Sequence, residues 1–332
     1  MQAYALHDLY LVLEAAQDES LNGLERLLQD LNFARDGLSS GSGAVRMSVS
    51  LGISTEQTHH HGTEVLNVDG IQGFESDTGF WLGCESASAS IEVDPVVAKV
   101  RTTPDFFTQS PLFQRNFWSF VLMKLLRLKG VFTLHAAALV SPQGRGLLIV
   151  ASPGSGKSTL AIGLVKRGWH YLSDDAVLLR SNQTEIEALA LRKHFFVDAE
   201  AYDRYVDLAP GVVCEDAQGA GRHRLDMRRV FPDHYLSACT PSHVLFPQIV
   251  SRAKSETEPV TKSQAMNLLL HESGPQLFDK RGMPEHLSIL RALIEQCELI
   301  RLHSGRDLLD DPGLLESYLG SSSEWPRGAY PC

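Results

Sequence analysis

The stretch LLIVASPGSGKSTLAIGLVKRGW, residues 147–169, predicts a buried strand, a glycine-rich loop and an amphipathic helix in succession. The loop nearly fits the phosphate-binding rule G-x-x-x-x-G-K-[ST], but Ala151 stands where the first glycine is expected. That glycine mainly permits a tight exit from the strand, and alanine is the smallest side chain that can replace it. We therefore predict a working phosphate loop.

Three properties of this segment suit a bound phosphate. Its small residues let backbone N–H groups turn inward around an anion. The helix that begins beyond them would direct its N-terminal amides and its dipole at the same anion. A lysine supplies a cation, and the serine after it supplies a hydroxyl that can reach Mg²⁺. The predicted nucleotide-binding residues are Pro153, Gly154, Ser155, Gly156, Lys157, Ser158 and Thr159.

Two adjacent carboxylates, Asp174 and Asp175, follow the short strand HYLS, which we expect to lie beside the strand that leads into the loop. At such a strand end, one carboxylate can organise Mg²⁺ while its neighbour takes a proton from an attacking hydroxyl. Successive strand side chains point to opposite faces, so the two should have separate roles. A solvated acidic turn is the alternative. His135, in the upstream strand LHAAALV, is a further candidate, and a packed strand histidine is its alternative.

These motifs together resemble the catalytic domain of HPr kinase/phosphorylase. The resemblance rests on HAAALV (135–140), on the phosphate-loop segment and on LSDD (172–175), and it fades beyond about residue 180. Within that superfamily the chain is similar to the HPr-kinase-related kinases of the kinase A type, a group that includes kinases of ribosomally made precursor peptides. The implied fold is α/β, with a P-loop kinase core of the HPr kinase/phosphoenolpyruvate carboxykinase type and a smaller, β-rich N-terminal α+β region.

The resemblance also implies a reaction and roles for individual residues. ATP and Mg²⁺ would be the cofactors, and a peptide or protein would receive the γ-phosphoryl group on a serine-type hydroxyl. Lys157 and Ser158 would hold the phosphates and Mg²⁺, and Asp175 would join Ser158 at the metal. Asp174 would be the general base, and His135 would tune the acidic pair. The segment EALALRKHFFV (187–197) does not match a further signature of the family, so phosphorolysis is not expected. The N-terminal part does not resemble the family's usual N-terminal domain, so HPr itself is not expected as the substrate.

Charge on a transferring phosphoryl group calls for cations beyond one lysine. Arg222 and Arg224, in the glycine-rich segment QGAGRHRLDMRR, are candidates to fold over the phosphoryl group or the acceptor. A solvated basic loop is the equal alternative for them. For the second basic cluster, Arg192-Lys193-His194, we favour the solvated loop.

The chain of 332 residues suggests two domains, or one large domain with an appendage. We place an N-terminal helix and a β-rich region in residues 1–105 and the catalytic domain in residues 106–332. The helix is predicted over 20–32, where leucines recur on one face, and the strands over 45–103. Three adjacent histidines, His59–His61, are interpreted as a polar loop, because metal ligands usually come from spaced positions.

Composition limits the kinds of binding partner and the cellular compartment that we expect for this protein. The net charge of -10 excludes a global basic surface for nucleic acid. The five cysteines are scattered without a C-x-x-C motif, which is typical of reduced thiols in a cytosolic protein. No apolar run reaches the ~20 residues of a membrane span, and no signal peptide is recognised, so we expect a cytoplasmic protein. The resemblance further implies assembly into a homo-oligomer.

Two alternatives to the peptide or protein kinase stay open at this stage. A small-molecule kinase could use the same scaffold, because fold alone does not decide the substrate. A nucleotide-gated binding module without catalysis is the third reading. The sequence names neither the acceptor nor the base of the nucleotide, so ATP and GTP are not distinguished.

Overall fold

The structure, a computed structural model, describes residues 2–15, 21–36, 45–52, 62–215, 222–273 and 279–319. The chain divides into two compact units, Met1–Phe132 with Pro275–His286 and Thr133–Gly274 with Leu287–Cys332. Helices and several sheets make it a mixed α/β protein. Residue 105, where the sequence predicts a domain boundary, lies inside the first unit, and that boundary stays a prediction. The histidine run at 59–61 lies outside the described residues.

The first unit contains a nine-stranded sheet. Its strands are β1 (Gln2–Leu6), β2 (Leu9–Ala15), β3 (Ala34–Asp36), β4 (Val45–Leu51), β5 (Thr63–Val68), β6 (Ile71–Glu75), β7 (Gly79–Gly83), β8 (Ala87–Val93) and β9 (Val96–Thr102). They lie in the order β3-β1-β2-β4-β9-β8-β7-β6-β5. The strands predicted over 45–103 are therefore confirmed in the described part of that segment.

Two helices, α1 (Asn22–Asp30) and α2 (Pro111–Arg127), belong to the first unit and pack against each other. The leucines predicted to share one face of α1 are buried. Ser110 caps α2 by accepting a hydrogen bond from the backbone N–H of Phe113 at 3.2 Å. Phe117 of α2 is fully buried, and burying a phenylalanine side chain contributes about 1.5–3 kcal/mol.

From Phe132 onward the strands form three further sheets. They are β10 (Phe132–Leu134), β11 (Ala136–Val140), β12 (Gly146–Val150), β13 (His170–Ser173), β14 (Val177–Asn182), β15 (Glu185–Ala190), β16 (His194–Asp198), β17 (Val212–Glu215), β18 (Arg222–Asp226), β19 (Ala238–Cys239), β20 (Pro241–Ile249), β21 (Glu256–Pro259) and β22 (Glu298–Ser304). The sheet orders are β13-β11-β12-β20-β22-β21, β10-β14-β15-β19 and β16-β18-β17.

The remaining helices are α3 (Lys157–Val165), α4 (Ala199–Arg204), α5 (Met227–Val230), α6 (Lys262–Glu272), α7 (Met283–Gln296), α8 (Arg306–Asp310) and α9 (Leu315–Tyr318). The apolar residues of α3 enter the core beside the six-stranded sheet, where Ile162 and Leu164 are fully buried. Gly163 lets this helix approach its neighbours closely, since a Cβ there would clash with the ring of Pro312. Across the described ranges, no helix combines the length and apolar character needed to cross a membrane.

The six-stranded sheet brings distant segments of sequence to one edge. β11 pairs antiparallel with β12 and with β13, so β11 lies between them. The expectation that HYLS lies directly beside the phosphate-loop strand is therefore wrong. Because β11 runs opposite to both neighbours, it begins at the edge where β12 and β13 end. This edge carries His135 before β11, the phosphate loop after β12 and the acidic pair after β13.

Candidate functional site

The phosphate loop has the backbone conformation that its glycines suggest. Gly154 and Gly156 have φ angles of 83° and 81°, in the left-handed region that glycine adopts without a steric penalty. Gly156 is also the N-cap of α3, so the first amides of the helix face the loop. Ala151 is buried and does not take the left-handed conformation. Alanine is therefore compatible with the position where the motif has its first glycine.

Ser158 and Asp174 form a hydrogen-bonded pair at the start of α3. The Ser158 hydroxyl donates to Asp174 Oδ2 at 2.7 Å. Asp174 is 0% exposed, and its Oδ1 has no hydrogen-bond partner among the described residues. Burial raises the pKa of Asp174, although the nearby charge of Lys157 acts in the opposite direction. The Ser158 hydroxyl and the Asp174 carboxylate are close enough to bind one metal ion together.

Lys157, His135 and Asp175 form a second group beside the loop. Lys157 Nζ lies 2.7 Å from His135 Nε2, and the same ring nitrogen lies 3.0 Å from Asp175 Oδ1. The Lys157 side chain is only 7% exposed. Burial lowers the pKa of Lys157, and the charges of Asp174 and Asp175 partly offset this effect. The hydrogen bond to Asp175 raises the pKa of His135 in spite of burial and the lysine charge.

Asp175 is the more accessible member of the acidic pair. Its side chain is 39% exposed, and its backbone has a φ of 67°, which is uncommon for a residue with a Cβ. Burial alone would raise the pKa of Asp175, but the hydrogen bond from His135 and the charges of Arg192 and Lys157 hold it well below its usual range. The carboxylate is therefore ionised at neutral pH.

Arg192 takes part in the site, contrary to the solvated loop that we expected for residues 192–194. Its Nη2 lies 3.8 Å from Asp175 Oδ2, and its side chain is 19% exposed. His194 in the same cluster is buried. The sequence showed a basic cluster after a strand but not the direction in which its side chains point.

Glu272, at the end of α6, is a site residue that the sequence analysis missed. Its carboxylate contacts His135 Nδ1 at 2.7 Å and accepts a hydrogen bond from the Ser152 hydroxyl at 2.6 Å. It lies 137 residues from His135 in the sequence. No motif marks it, and a glutamate near a helix end is usually a solvated residue.

A cavity of about 490 Å³ adjoins these groups and is large enough for a small-molecule ligand. The loop, Lys157 and Asp175 lie along its lining, as do apolar residues such as Ile249 and Leu308. β20 and β22 run parallel to β12, so their ends contribute to the same edge. A nucleotide has the charged and apolar parts that such a lining could accommodate.

The two arginines predicted to complete the site have different outcomes. The side chain of Arg222 lies outside the described part of the chain. Arg224 lies in β18, opposite Phe196 of β16, and it is not among the described residues that line the cavity. Their predicted action on the phosphoryl group or the acceptor stays a prediction.

Comparisons with known proteins add a distant likeness. No family model matches the chain, and no curated protein matches it. Among solved structures, the chain is similar to the HPr(Ser) kinase/phosphatase from Coxiella burnetii, with 16% identity and a TM-score of 0.30. That likeness covers 56% of this chain and 93% of the other chain.

Proposed function

We propose that the chain is an ATP- and Mg²⁺-dependent kinase that transfers the γ-phosphoryl group to a hydroxyl of a peptide or protein, with serine as the expected acceptor residue. The observation that carries this proposal is the meeting of Lys157, His135 and Asp175 beside the phosphate loop, with 2.7 Å and 3.0 Å between successive partners. A cation, an imidazole and an ionised carboxylate next to a phosphate cradle are suited to phosphoryl transfer.

The residues at the loop fit a nucleotide phosphate and its magnesium ion. The two left-handed glycines permit backbone amides to face an anion. Asp174 Oδ1, buried without a described hydrogen-bond partner, suits an atom that gains a ligand when the nucleotide binds. Ser158 and Asp174 would hold the ion. Bound Mg²⁺ would neutralise negative charge on the phosphates.

We propose the reverse of the two aspartate roles that the resemblance implied. Asp174 is buried against Ser158, which suits the metal side of the site. Asp175 lines the cavity and is ionised at neutral pH, so it can accept a hydrogen bond and then the proton of an attacking hydroxyl. Its basicity is low, but in a loose transition state its main task is to orient that hydroxyl. His135 and Arg192 would hold Asp175 in place.

A small-molecule kinase is the second candidate, and the size of the cavity favours it as much as a peptide side chain. The third candidate is a nucleotide-binding module without catalysis, which would bind ATP but consume none. Cytoplasmic location and a homo-oligomeric state stay predictions from the sequence.

The direct test is phosphate transfer from γ-labelled ATP, with Mg²⁺, to a peptide encoded beside this gene. We expect the label and the mass of one phosphate on a serine of that peptide, and no transfer to the peptide with that serine replaced by alanine. Transfer only to small molecules of a cell extract would support a metabolite kinase. Absence of ATP consumption with every acceptor would contradict an enzyme.

The phosphate cradle is tested by Lys157→Ala. We expect ATP to bind about 10- to 100-fold more weakly, because a charged hydrogen bond contributes roughly 1.5–3 kcal/mol. Lys262→Ala is the matched control, since Lys262 forms an exposed ion pair with Glu295 away from the cavity. Equal ATP affinities for the two variants would refute the cradle.

A further inference from the structure

Glu272 connects two segments of the site through three hydrogen bonds. Its side chain contacts His135 Nδ1 and the Ser152 hydroxyl, and its backbone carbonyl accepts from the backbone N–H of His135 at 2.9 Å. The side chain is 9% exposed. Burial alone would raise the pKa of Glu272, but the hydrogen bonds from Ser152, His135 and His271 hold it below its usual range. Glu272 is therefore ionised at neutral pH, and its carboxylate is held against Nδ1 of His135.

This contact determines which ring nitrogen of His135 carries a proton. An ionised carboxylate can only accept hydrogen bonds, so Nδ1 of the ring must donate to Glu272. In the neutral ring Nε2 is then an acceptor, and the Lys157 ammonium, which can only donate, supplies its hydrogen bond. In the protonated ring Nε2 donates to Asp175 instead. The charged groups that face His135 are Glu272, Lys157 and Asp175.

We propose that Glu272 is the positioning residue of this site: it fixes the His135 ring with Nε2 directed at Lys157 and Asp175, and it ties Ser152 of the phosphate loop to the same ring. The proposal rests on the proposed kinase function. Glu272 itself does not touch the reacting atoms and acts through His135. The backbone hydrogen bond between Glu272 and His135 keeps the end of α6 in place when only the side chain is changed.

The positioning role is tested without activity by ¹⁵N NMR of the histidines in the full chain, with the His135 signal assigned by its loss in His135→Gln. In the wild type, we expect the neutral ring to carry its proton on Nδ1 and to titrate at Nε2. In Glu272→Gln, we expect the His135 titration to move to lower pH, because a negative charge beside the ring is removed. Glu272→Asp, which keeps the charge, should titrate closer to the wild type.

Glu258→Gln is the matched control, because Glu258 Oε1 lies 3.4 Å from His303 Nε2 on an exposed strand edge. This substitution should leave the His135 titration unchanged. A wild-type ring protonated on Nε2 in its neutral form would overturn the proposal. An unchanged His135 titration in Glu272→Gln would overturn it as well. The wild-type measurement decides the matter even where a variant does not fold.

The kinetic consequence is measured with ATP, Mg²⁺ and the neighbouring-gene peptide. We expect kcat of Glu272→Gln to fall about 10- to 100-fold, the usual effect of removing a residue that orients a site group, with the ATP Kd unchanged. A purely structural role would instead lower the melting temperature and leave kcat of the folded protein intact, and this result would contradict the proposal. If the wild type transfers no phosphate, the kinase proposal fails, whereas the NMR result still decides the positioning role.

Discussion

Two clusters of charged side chains, one in each unit, contain similar residue types in different surroundings. In the first unit, Asp279 accepts hydrogen bonds from Lys124 Nζ at 2.7 Å and from Arg127 Nε at 2.8 Å. Arg127 Nη1 also lies 2.8 Å from His286 Nδ1. All four side chains are largely buried, and the adjoining cavity measures about 40 Å³, little more than the space for a water molecule.

In the second unit, Lys157, His135 and Asp175 form a comparable set beside a cavity of about 490 Å³. Both lysines have a lowered pKa, and Lys124 reaches about 8. A shifted pKa is therefore no sign of function by itself, because burial shifts a structural lysine in the same way. What separates the clusters is the space beside them. The Asp279 cluster adjoins a cavity of about 40 Å³ lined by aromatic side chains such as Phe80 and Trp81, whereas the Asp175 cluster adjoins a cavity of about 490 Å³ beside a phosphate loop.

The largest expected effect is on phosphate transfer when the aspartate of each cluster is replaced by asparagine. In Asp175→Asn, phosphate transfer should fall about 10²- to 10⁴-fold, because the group that accepts the hydroxyl proton is lost. ATP affinity, measured by calorimetry, should change little. The matched variant Asp279→Asn should keep the turnover of the folded enzyme. Loss of transfer in Asp174→Asn with retention in Asp175→Asn would restore the aspartate roles implied by the resemblance.

For the stability of the fold, the opposite order is expected: Asp279→Asn should lose more stability than Asp175→Asn. In Asp279→Asn, Lys124 and Arg127 lose their carboxylate while buried, and breaking such a pair costs about 3–5 kcal/mol. Hydrogen exchange measured by mass spectrometry should show faster exchange over α2. Asp175→Asn serves as the control, since Asp175 is partly exposed. Unchanged exchange over α2 would mean that the Asp279 cluster contributes little to folding.

A smaller effect is expected from adding one methyl group at Gly282, beside Asp279, and one at Gly163, in the helix that begins with Lys157. A Cβ on Gly282 would lie 2.6 Å from Asp279 Oδ1, and a Cβ on Gly163 would meet Pro312. Each change to alanine should destabilise its unit by about 1–3 kcal/mol through overpacking. Gly163→Ala should also slow transfer, because α3 carries Lys157. Equal activity of both variants would show that the position of α3 is not critical.

The mildest test changes only the pH. Burial and the charge of Arg127 lower the pKa of His286 to about 4, whereas the hydrogen bond to Asp175 raises the pKa of His135. Between about pH 6.5 and 4 the unfolded chain binds the proton of His286 more readily, so its contribution to stability falls as the pH falls. The contribution of His135 is present below about pH 6.5 and is lost as the pH rises through its folded pKa.

These opposite signs are measured by urea unfolding across the pH range, with His286→Gln and His135→Gln each compared with the wild type. For each variant, the free energy of unfolding is subtracted from that of the wild type at every pH. If this difference changes with pH in the same direction for both histidines, the contrast between the clusters is contradicted.

The parts of the fold that depend on local sequence were predictable. The strand, glycine loop and helix around residues 147–165 follow one another without interruption, so no distant contact was needed to recognise them. The apolar faces of α1 and α7 likewise show in the spacing of their own residues. Local hydrogen bonding and side-chain periodicity are properties of a contiguous segment, and for that reason a sequence exposes them.

The neighbours of the loop could not be derived in the same way. That β11 lies between β12 and β13 depends on strand pairing, which the sequence does not specify. Arg192 was expected in solvent and lies beside Asp175, and no sequence motif points to Glu272. Each of these residues owes its position to a contact between segments that are distant in the chain.

The sequence by itself therefore determined that a phosphate-binding loop leads into a helix and that carboxylates follow a nearby strand. Only the tertiary structure decided that His135, Lys157 and Asp175 touch, that Asp174 is buried on Ser158, and that a glutamate at the end of α6 stands behind the histidine. The physical reason is that backbone conformation is encoded locally, whereas burial, ring orientation and pKa depend on which distant side chains the sheet brings to one edge.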